Sequence, residues 1–217
     1  EREKELDGLR KRQDADKELL YLSKYTMKDA KGDAVDNIIN VTLNRPAVFA
    51  ANVIASLGKV TEQIVVESQD KSLDTDYIEK FQRACFGAAN ARSRKRGKPQ
   101  LNPFFDEQSC IRGGVAALCV FRMIDNILIP DIRLWDQRYV TWEFGYSDLE
   151  YCAYSTTRKK SELLVEYPQL GDGKDLNSTT LLRDVWDSTH NEIWIENKKV
   201  FEQEHPFGFV PVAFQLV

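Results

Sequence analysis

The spacing of apolar and polar positions changes twice along the chain. Residues 1–36 carry charges of both signs with scattered leucines, and the apolar stripe lapses between Leu9 and Leu19. Interspersed opposite charges at helical spacing stabilise exposed helices. We therefore predict a charged N-terminal helical segment over residues 1–36, made of one or two exposed helices, and a separate α+β domain over residues 37–217.

Helical signals dominate the next part of the chain. Asn44 and Pro46 favour the cap and first turn of a helix, and Gly58 can close that helix in a left-handed conformation. A second, longer helix repeats apolar residues at helical spacing after a cap at Ser72 or Asp74. The same stretch also predicts a short strand at residues 63–66, a third helix from Asn102-Pro103, and a helix break at Arg112-Gly113-Gly114.

Beyond Gly114 the apolar period falls to two, which is typical of strands. Two hairpins are predicted, with turns at Asp125-Asn126 and Ser147-Asp148. A short helix over residues 158–167 and a meander from Leu181 to Glu204 follow. N-terminal helices followed by antiparallel hairpins and a meander predict an α+β fold. Three or four of the tryptophans are expected to anchor the core; these are Trp135, Trp142, Trp186 and Trp194.

Composition narrows the class of protein. The 217 residues permit one good core or two small ones. A net charge of −4 argues against a dedicated nucleic-acid binder, although it allows a protein that surrounds DNA without binding it tightly. No apolar run approaches the roughly 18 residues of a membrane span, and nothing resembles a signal peptide, so a cytosolic protein is expected. The start at Glu1 without an initiator Met, and the apolar end over residues 207–217, suggest a piece of something longer.

The residues that carry metal or redox chemistry are sparse. The four cysteines lie far apart and never as Cys-x-x-Cys, so four buried thiols are expected, with one disulfide pair as the alternative. His190 and His205 have no second His or Cys at ligand spacing. His205-Pro206 is expected to mark a strand boundary. No catalytic residue, metal site or cofactor is therefore predicted.

One concentrated patch of positive charge stands out. It consists of Arg92, Arg94, Lys95, Arg96 and Lys98. These cations could contact DNA phosphates or an acidic neighbouring subunit. The third interpretation is a solvated helix C-terminus, where cations are favourable in any case.

Two further patterns have alternative interpretations. Pro130-Asp131 with Glu196-Asn197-Lys198 is superficially similar to a metal-dependent nuclease motif, which needs two carboxylates and a lysine at one metal. The two halves are far apart in sequence, and Asn197-Lys198 is typical of a solvent-facing turn. The loop at residues 171–175 lacks the spacing of a phosphate or calcium loop and is interpreted as flexible.

The order of these elements, with the residues at their junctions, resembles a tailed-phage portal protein, the head-tail connector of the viral capsid. Three stretches carry the resemblance. They are Asn44-Arg45-Pro46 opening a helix that leads to Leu57-Gly58, Ile111-Arg112-Gly113-Gly114 before a hairpin that continues into residues 129–143, and a long meander that ends in residues 204–212, Glu204-His205-Pro206-Phe207-Gly208-Phe209-Val210-Pro211-Val212. Together they span most of the chain from Asn44 onward.

The resemblance implies a non-enzymatic structural role. Such portals form a twelve-subunit ring at one capsid vertex, where they contact the major capsid protein and surround double-stranded DNA without reading its sequence. A terminase motor packages the genome through the ring, and ejection uses the same conduit. This chain would supply the wing region, without the stem, clip and crown, and would be found in the host cytoplasm during assembly and then in the virion.

A closed ring uses heterologous contacts, so its subunit needs two different side faces. Two rival functions remain beside the portal wing. One is a non-viral protein-interaction module, which composition alone does not separate from a portal wing. The other is the metal-dependent nuclease, which has only the weak pattern at Asp131 in its favour.

Overall fold

The computed structural model describes residues 2–21, 26–39, 43–60, 63–170 and 176–217, and it has the predicted α+β fold. The predicted loop at residues 171–175 lies outside these ranges. Six helices are described: α1 Arg2–Glu5, α2 Asp7–Tyr21, α3 Arg45–Leu57, α4 Thr75–Lys95, α5 Leu101–Arg112 and α6 Lys160–Glu166. Eight strands are described: β1 Gly114–Ile124, β2 Ile127–Trp135, β3 Val140–Phe144, β4 Leu149–Lys159, β5 Thr179–Asp187, β6 His190–Ile195, β7 Lys198–Glu204 and β8 Val212–Leu216.

The chain forms two compact units. The strand unit contains the residues up to Asp7 together with Val115–Leu216, and the helical unit contains Gly8–Gly114 with Val217. The boundary expected after residue 36 stays a prediction. Within the helical unit, α2 contacts the end of α5, because the Gln13 side chain donates to the carbonyl oxygen of Arg112 at 2.8 Å.

The helices of the helical unit begin and end largely as their sequences predict. The Asn44 side chain accepts from the N–H of Ala47, and the Asp74 side chain accepts from the N–H of Tyr77. Asp74 rather than Ser72 is therefore the cap of α4. Gly113 ends α5 with φ +67°, a left-handed conformation that favours glycine, so the predicted break is confirmed.

Three local predictions in this unit are wrong. Gly58 keeps a right-handed helical conformation with φ −64°, because its N–H still bonds to the carbonyl of Ile54. Residues 63–66 form no strand, and the N–H of Val66 instead donates to the Glu79 carboxylate at 3.0 Å. Helix α5 begins at Leu101, before the predicted Asn-Pro start, since the Asn90 side chain accepts from the N–H of Leu101.

The strand unit contains two antiparallel arrangements. Strands β2, β1 and β8 form one sheet in that order, and β3 to β7 form a five-stranded meander in sequence order. The β1–β2 turn is confirmed at Asp125 and Asn126, whose φ values of 51° and 61° match a two-residue hairpin turn. The last predicted turn shifts back by one residue, to Glu196 and Asn197, because Lys198 already pairs with Ile195.

The core of the strand unit lies on one face of the meander. Leu163 of α6 packs against Leu182, Ile193 and Ile195, and all four are buried. Trp135, Trp142 and Trp186 are buried as predicted, whereas Trp194 is half-buried. The Trp135 ring stacks on Tyr154 with 5.0 Å between centroids. Large aromatic side chains thus supply much of the apolar area that stabilises this unit.

Candidate functional site

The basic run lies at the C-terminal end of α4, in the helical unit. Gly97 adopts φ +64° there, and the N–H of Lys98 donates back to the carbonyl oxygen of Ser93 at 2.9 Å. Arg94, Lys95 and Lys98 have exposed side chains. Within the ranges that the structure covers, none of these three forms an ion pair with a carboxylate.

This charge is presented to solvent at the negative end of a helix dipole, which stabilises it in place. An exposed cationic patch attracts phosphates and carboxylates alike. Contact with DNA and contact with an acidic neighbour therefore both stay predictions for the run, which also includes Arg92 and Arg96.

Replacing both Arg94 and Arg96 with alanine is expected to leave the free energy of unfolding within about 0.5 kcal/mol of the wild-type value, since surface substitutions rarely cost more. The C-terminal turn should persist because it is built from backbone hydrogen bonds and Gly97. Urea denaturation measures the stability. Salt-sensitive DNA binding that disappears in the double variant would assign the run to phosphate contact.

The helical unit exposes many of its large apolar side chains. Helix α3 contains no buried residue, although nearly all of its sequence is apolar or small. Phe49 is 73% exposed and Val48 61% exposed. We call the following residues the exposed apolar set: Leu43, Val48, Phe49, Tyr77, Phe81 and Phe86.

The helical unit buries fewer apolar side chains than it exposes, among the residues described. In the described part of Gly8–Gly114, the buried apolar residues are Ala89, Leu101 and Ile111. Leu43, Val48 and Phe49 line one shallow groove beside Asn44 and Asn52. An exposed apolar groove of this kind is a candidate interaction site in a soluble protein.

Asp131 of the suspected nuclease pattern is engaged by arginines. Its side chain is buried, and its carboxylate lies 2.7 Å from Arg122 Nε and 3.1 Å from Arg133 Nε. Glu196 faces the start of β5 instead, where it accepts from the N–H of Leu181. Across the described ranges, no group of three or more metal-ligating side chains is found.

A cavity of about 760 Å³ in the strand unit was not anticipated from the sequence. Its lining includes Arg122 and Arg133 of the β1–β2 hairpin and Asp184 and Trp186 of the meander. Burial raises the pKa of the Asp184 carboxyl, against the lowering effect of the Asn191 amide and of both arginines. The alternation of side chains along β5 predicts an inward face, but only the fold shows that a cavity opens over it.

The cysteines depart from the prediction of four buried thiols. Only Cys152 is buried, Cys85 is half-buried, and Cys110 and Cys119 are exposed. Burial raises the pKa of the Cys152 thiol, so it stays protonated and unreactive. All four cysteines are free, so the disulfide alternative is wrong.

His205 directly follows the end of β7, so the predicted strand boundary is confirmed. Its Nε2 lies 3.1 Å from the carbonyl oxygen of Asp187, so Nε2 carries the hydrogen and donates. Nδ1 is then the acceptor nitrogen, and it is buried without a hydrogen-bond partner. His205 also lines the cavity, a role that its sequence context did not indicate.

Comparison with known proteins identifies no family. No protein-family model matches the chain, and no curated protein matches it. Among the helices of the described residues, none is long and apolar enough to cross a membrane.

Proposed function

We propose that the chain is a structural subunit of a phage portal ring, the wing portion of a protein that surrounds the genome at the capsid vertex. The observation that carries this proposal is the exposed apolar set of the helical unit. A unit that exposes Phe49 and Val48 while burying only a few small and apolar residues gains stability when a neighbour covers it. Repeated subunits in a ring provide that cover.

The order of the elements supports the same proposal. Helices α3 to α5 precede the β1–β2 hairpin, and a five-stranded meander follows. The left-handed Gly113 makes the sharp passage from α5 into β1. This is the sequence of helices, hairpin and meander on which the resemblance to portal wings rests.

A non-viral interaction module is the second candidate, because the exposed apolar set would serve any protein partner equally. The nuclease has less support, since Asp131 is held by Arg122 and Arg133 and is not presented to a metal. The portal proposal differs from the interaction module in one testable respect. A ring subunit associates with copies of itself.

The isolated chain is expected to self-associate weakly and reversibly. Stable obligate interfaces bury on the order of 2,000 Å² or more, and a portal subunit would spread this area over regions that this chain does not contain. Light scattering should report a mass that rises with concentration from 25.0 kDa toward small multiples of it. A mass fixed at 25.0 kDa at every concentration would contradict self-association through this unit. A stable twelve-subunit particle at nanomolar concentration would show that the wing alone drives assembly.

A further inference from the structure

Asp184 is a buried carboxylate without a matching cation. It is 8% exposed and accepts one hydrogen bond, from Asn191 Nδ2 at 2.7 Å. No cation in the described part of the chain lies within 4.0 Å of it. The Trp186 indole N–H lowers the pKa of Asp184 but makes no hydrogen bond of normal geometry. A buried carboxylate left unpaired is costly, so this position favours a cationic partner from outside.

The cavity above Asp184 is walled by aromatic rings. Trp186, His205 and Phe207 stand in a row, with ring centroids 5.4 Å and 5.0 Å apart. Phe121 and Phe201 line the same space. Aromatic faces attract organic cations through the negative charge of the ring face.

The arginines of the cavity do not supply the missing positive charge. Arg122 and Arg133 both direct Nε at the buried carboxylate of Asp131 and not at Asp184. Their charge lowers the pKa of Asp184 only from a distance, and burial still raises it overall.

The other charges that line the cavity are negative. Glu204 lies on the wall, and Glu166 lies on the side of α6, where it pairs with Arg158 at 3.1 Å. Among the residues that line the cavity, the three carboxylates Asp184, Glu166 and Glu204 outnumber the two arginines Arg122 and Arg133. The lining therefore has a negative excess when Asp184 is ionised.

A second polar group in the wall, the His205 ring, also offers an acceptor. Nδ1 of His205 is buried without a partner, because Nε2–H is committed to the carbonyl of Asp187. A ligand with several N–H donors would satisfy both Nδ1 and the Asp184 carboxylate. A bare metal ion would leave most of a space of about 760 Å³ unfilled.

We propose that this cavity binds an organic cation, a guanidinium or primary ammonium group carried on an alkyl chain. The cationic head pairs with Asp184 and donates to His205, and the alkyl stem lies along Phe121 and Phe207. This inference is independent of the ring proposal, because it concerns the strand unit alone. Either a free alkylguanidine or an arginine side chain of a protein supplies the required chemistry.

Agmatine, an alkylguanidine with a primary amine, is the probe that tests the site. NMR titration should show saturable shifts at the Trp186 indole N–H and at the His205 ring. N-butylurea, which has a similar shape without the charge, should bind at least about tenfold more weakly. Equal binding of the two probes, or no saturable shift with agmatine, would overturn the proposal, and this comparison needs no variant.

Two variants locate the interaction. Asp184→Asn keeps the shape of the side chain and should weaken agmatine binding at least about tenfold. Glu202→Gln is the matched control, because Glu202 is an exposed carboxylate that pairs with Lys199 and alternates to the opposite face of the meander from Phe201. Unchanged agmatine affinity in Asp184→Asn, or the same loss in both variants, would refute the assignment to Asp184.

A blocked arginine, N-acetyl-arginine methylamide, distinguishes the two sources of the cation. If this compound binds more tightly than agmatine, the proposed site is supported and its ligand is an arginine side chain of a protein. Tighter binding of agmatine supports it with a free cation as occupant. Failure of both compounds to bind contradicts the proposal.

Discussion

Replacing Arg112 with alanine is expected to lower the free energy of unfolding of the helical unit by about 3 kcal/mol. The side chain is almost completely buried, and its Nη1 donates to the carbonyl oxygen of Gln13 at 2.8 Å while lying 3.6 Å from the Asp14 carboxylate. Hydrogen bonds from a charged donor contribute about 1.5–3 kcal/mol, and the buried arginine stem adds packing.

Urea denaturation followed by circular dichroism measures the effect. Arg12→Ala is the matched control, because Arg12 is an exposed arginine on α2, the helix that Arg112 contacts, and this variant should stay within about 0.5 kcal/mol of wild type. If Arg112→Ala is no less stable than Arg12→Ala, the contact between α2 and α5 does not stabilise the unit.

The double substitution Val48→Ser and Phe49→Ser is expected to weaken self-association about a hundredfold. Burying an apolar side chain of this kind contributes about 1.5–3 kcal/mol, and about 1.4 kcal/mol corresponds to a factor of ten in affinity. Folding should hardly change, because both side chains are exposed in the isolated chain. Sedimentation velocity across micromolar concentrations gives the association constant of each variant.

Val165→Ser provides the control for that experiment. Val165 is 82% exposed on α6, so the change removes an exposed apolar side chain from the strand unit and leaves the exposed apolar set intact. The control should associate like wild type. An equal loss in both variants would mean that association follows general surface hydrophobicity and not the helical unit.

Local structure follows closely from the sequence where a single backbone requirement selects the residue. The Asp125-Asn126 turn needs positive φ at both positions, and these residue types tolerate it. The cap at Asp74 needs a short side-chain acceptor one turn before its donor, and Gly113 needs a left-handed conformation. Each of these depends on neighbours within a few residues, which the sequence displays directly.

Contacts between distant residues do not follow from local pattern. From the local sequence, Arg112 is interpreted only as part of the helix break before Gly113 and Gly114. In the structure it is buried and bonds to Gln13, 99 residues earlier in the chain. Asp184 and His205 come to one cavity through the register of β5, β6 and β7. Cys119 is exposed because it lies on the outward face of β1, between the buried Leu118 and Val120.

Burial of the exposed apolar set likewise does not follow from local sequence pattern. The apolar spacing in α3 correctly predicts a helix, but helical periodicity does not say whether the stripe is covered within the chain. In the helical unit, the stripe around Phe49 is left exposed. This uncovered stripe is the physical basis of the proposed assembly function.

Electron microscopy of the protein expressed from its complete reading frame tests the central claim most directly. We predict closed rings with one fixed subunit number around a central channel, in which the helical unit of each subunit contacts its neighbour through the exposed apolar set. Single subunits at all concentrations, or rings in which Phe49 remains exposed to solvent, would contradict the assembly function proposed for this chain.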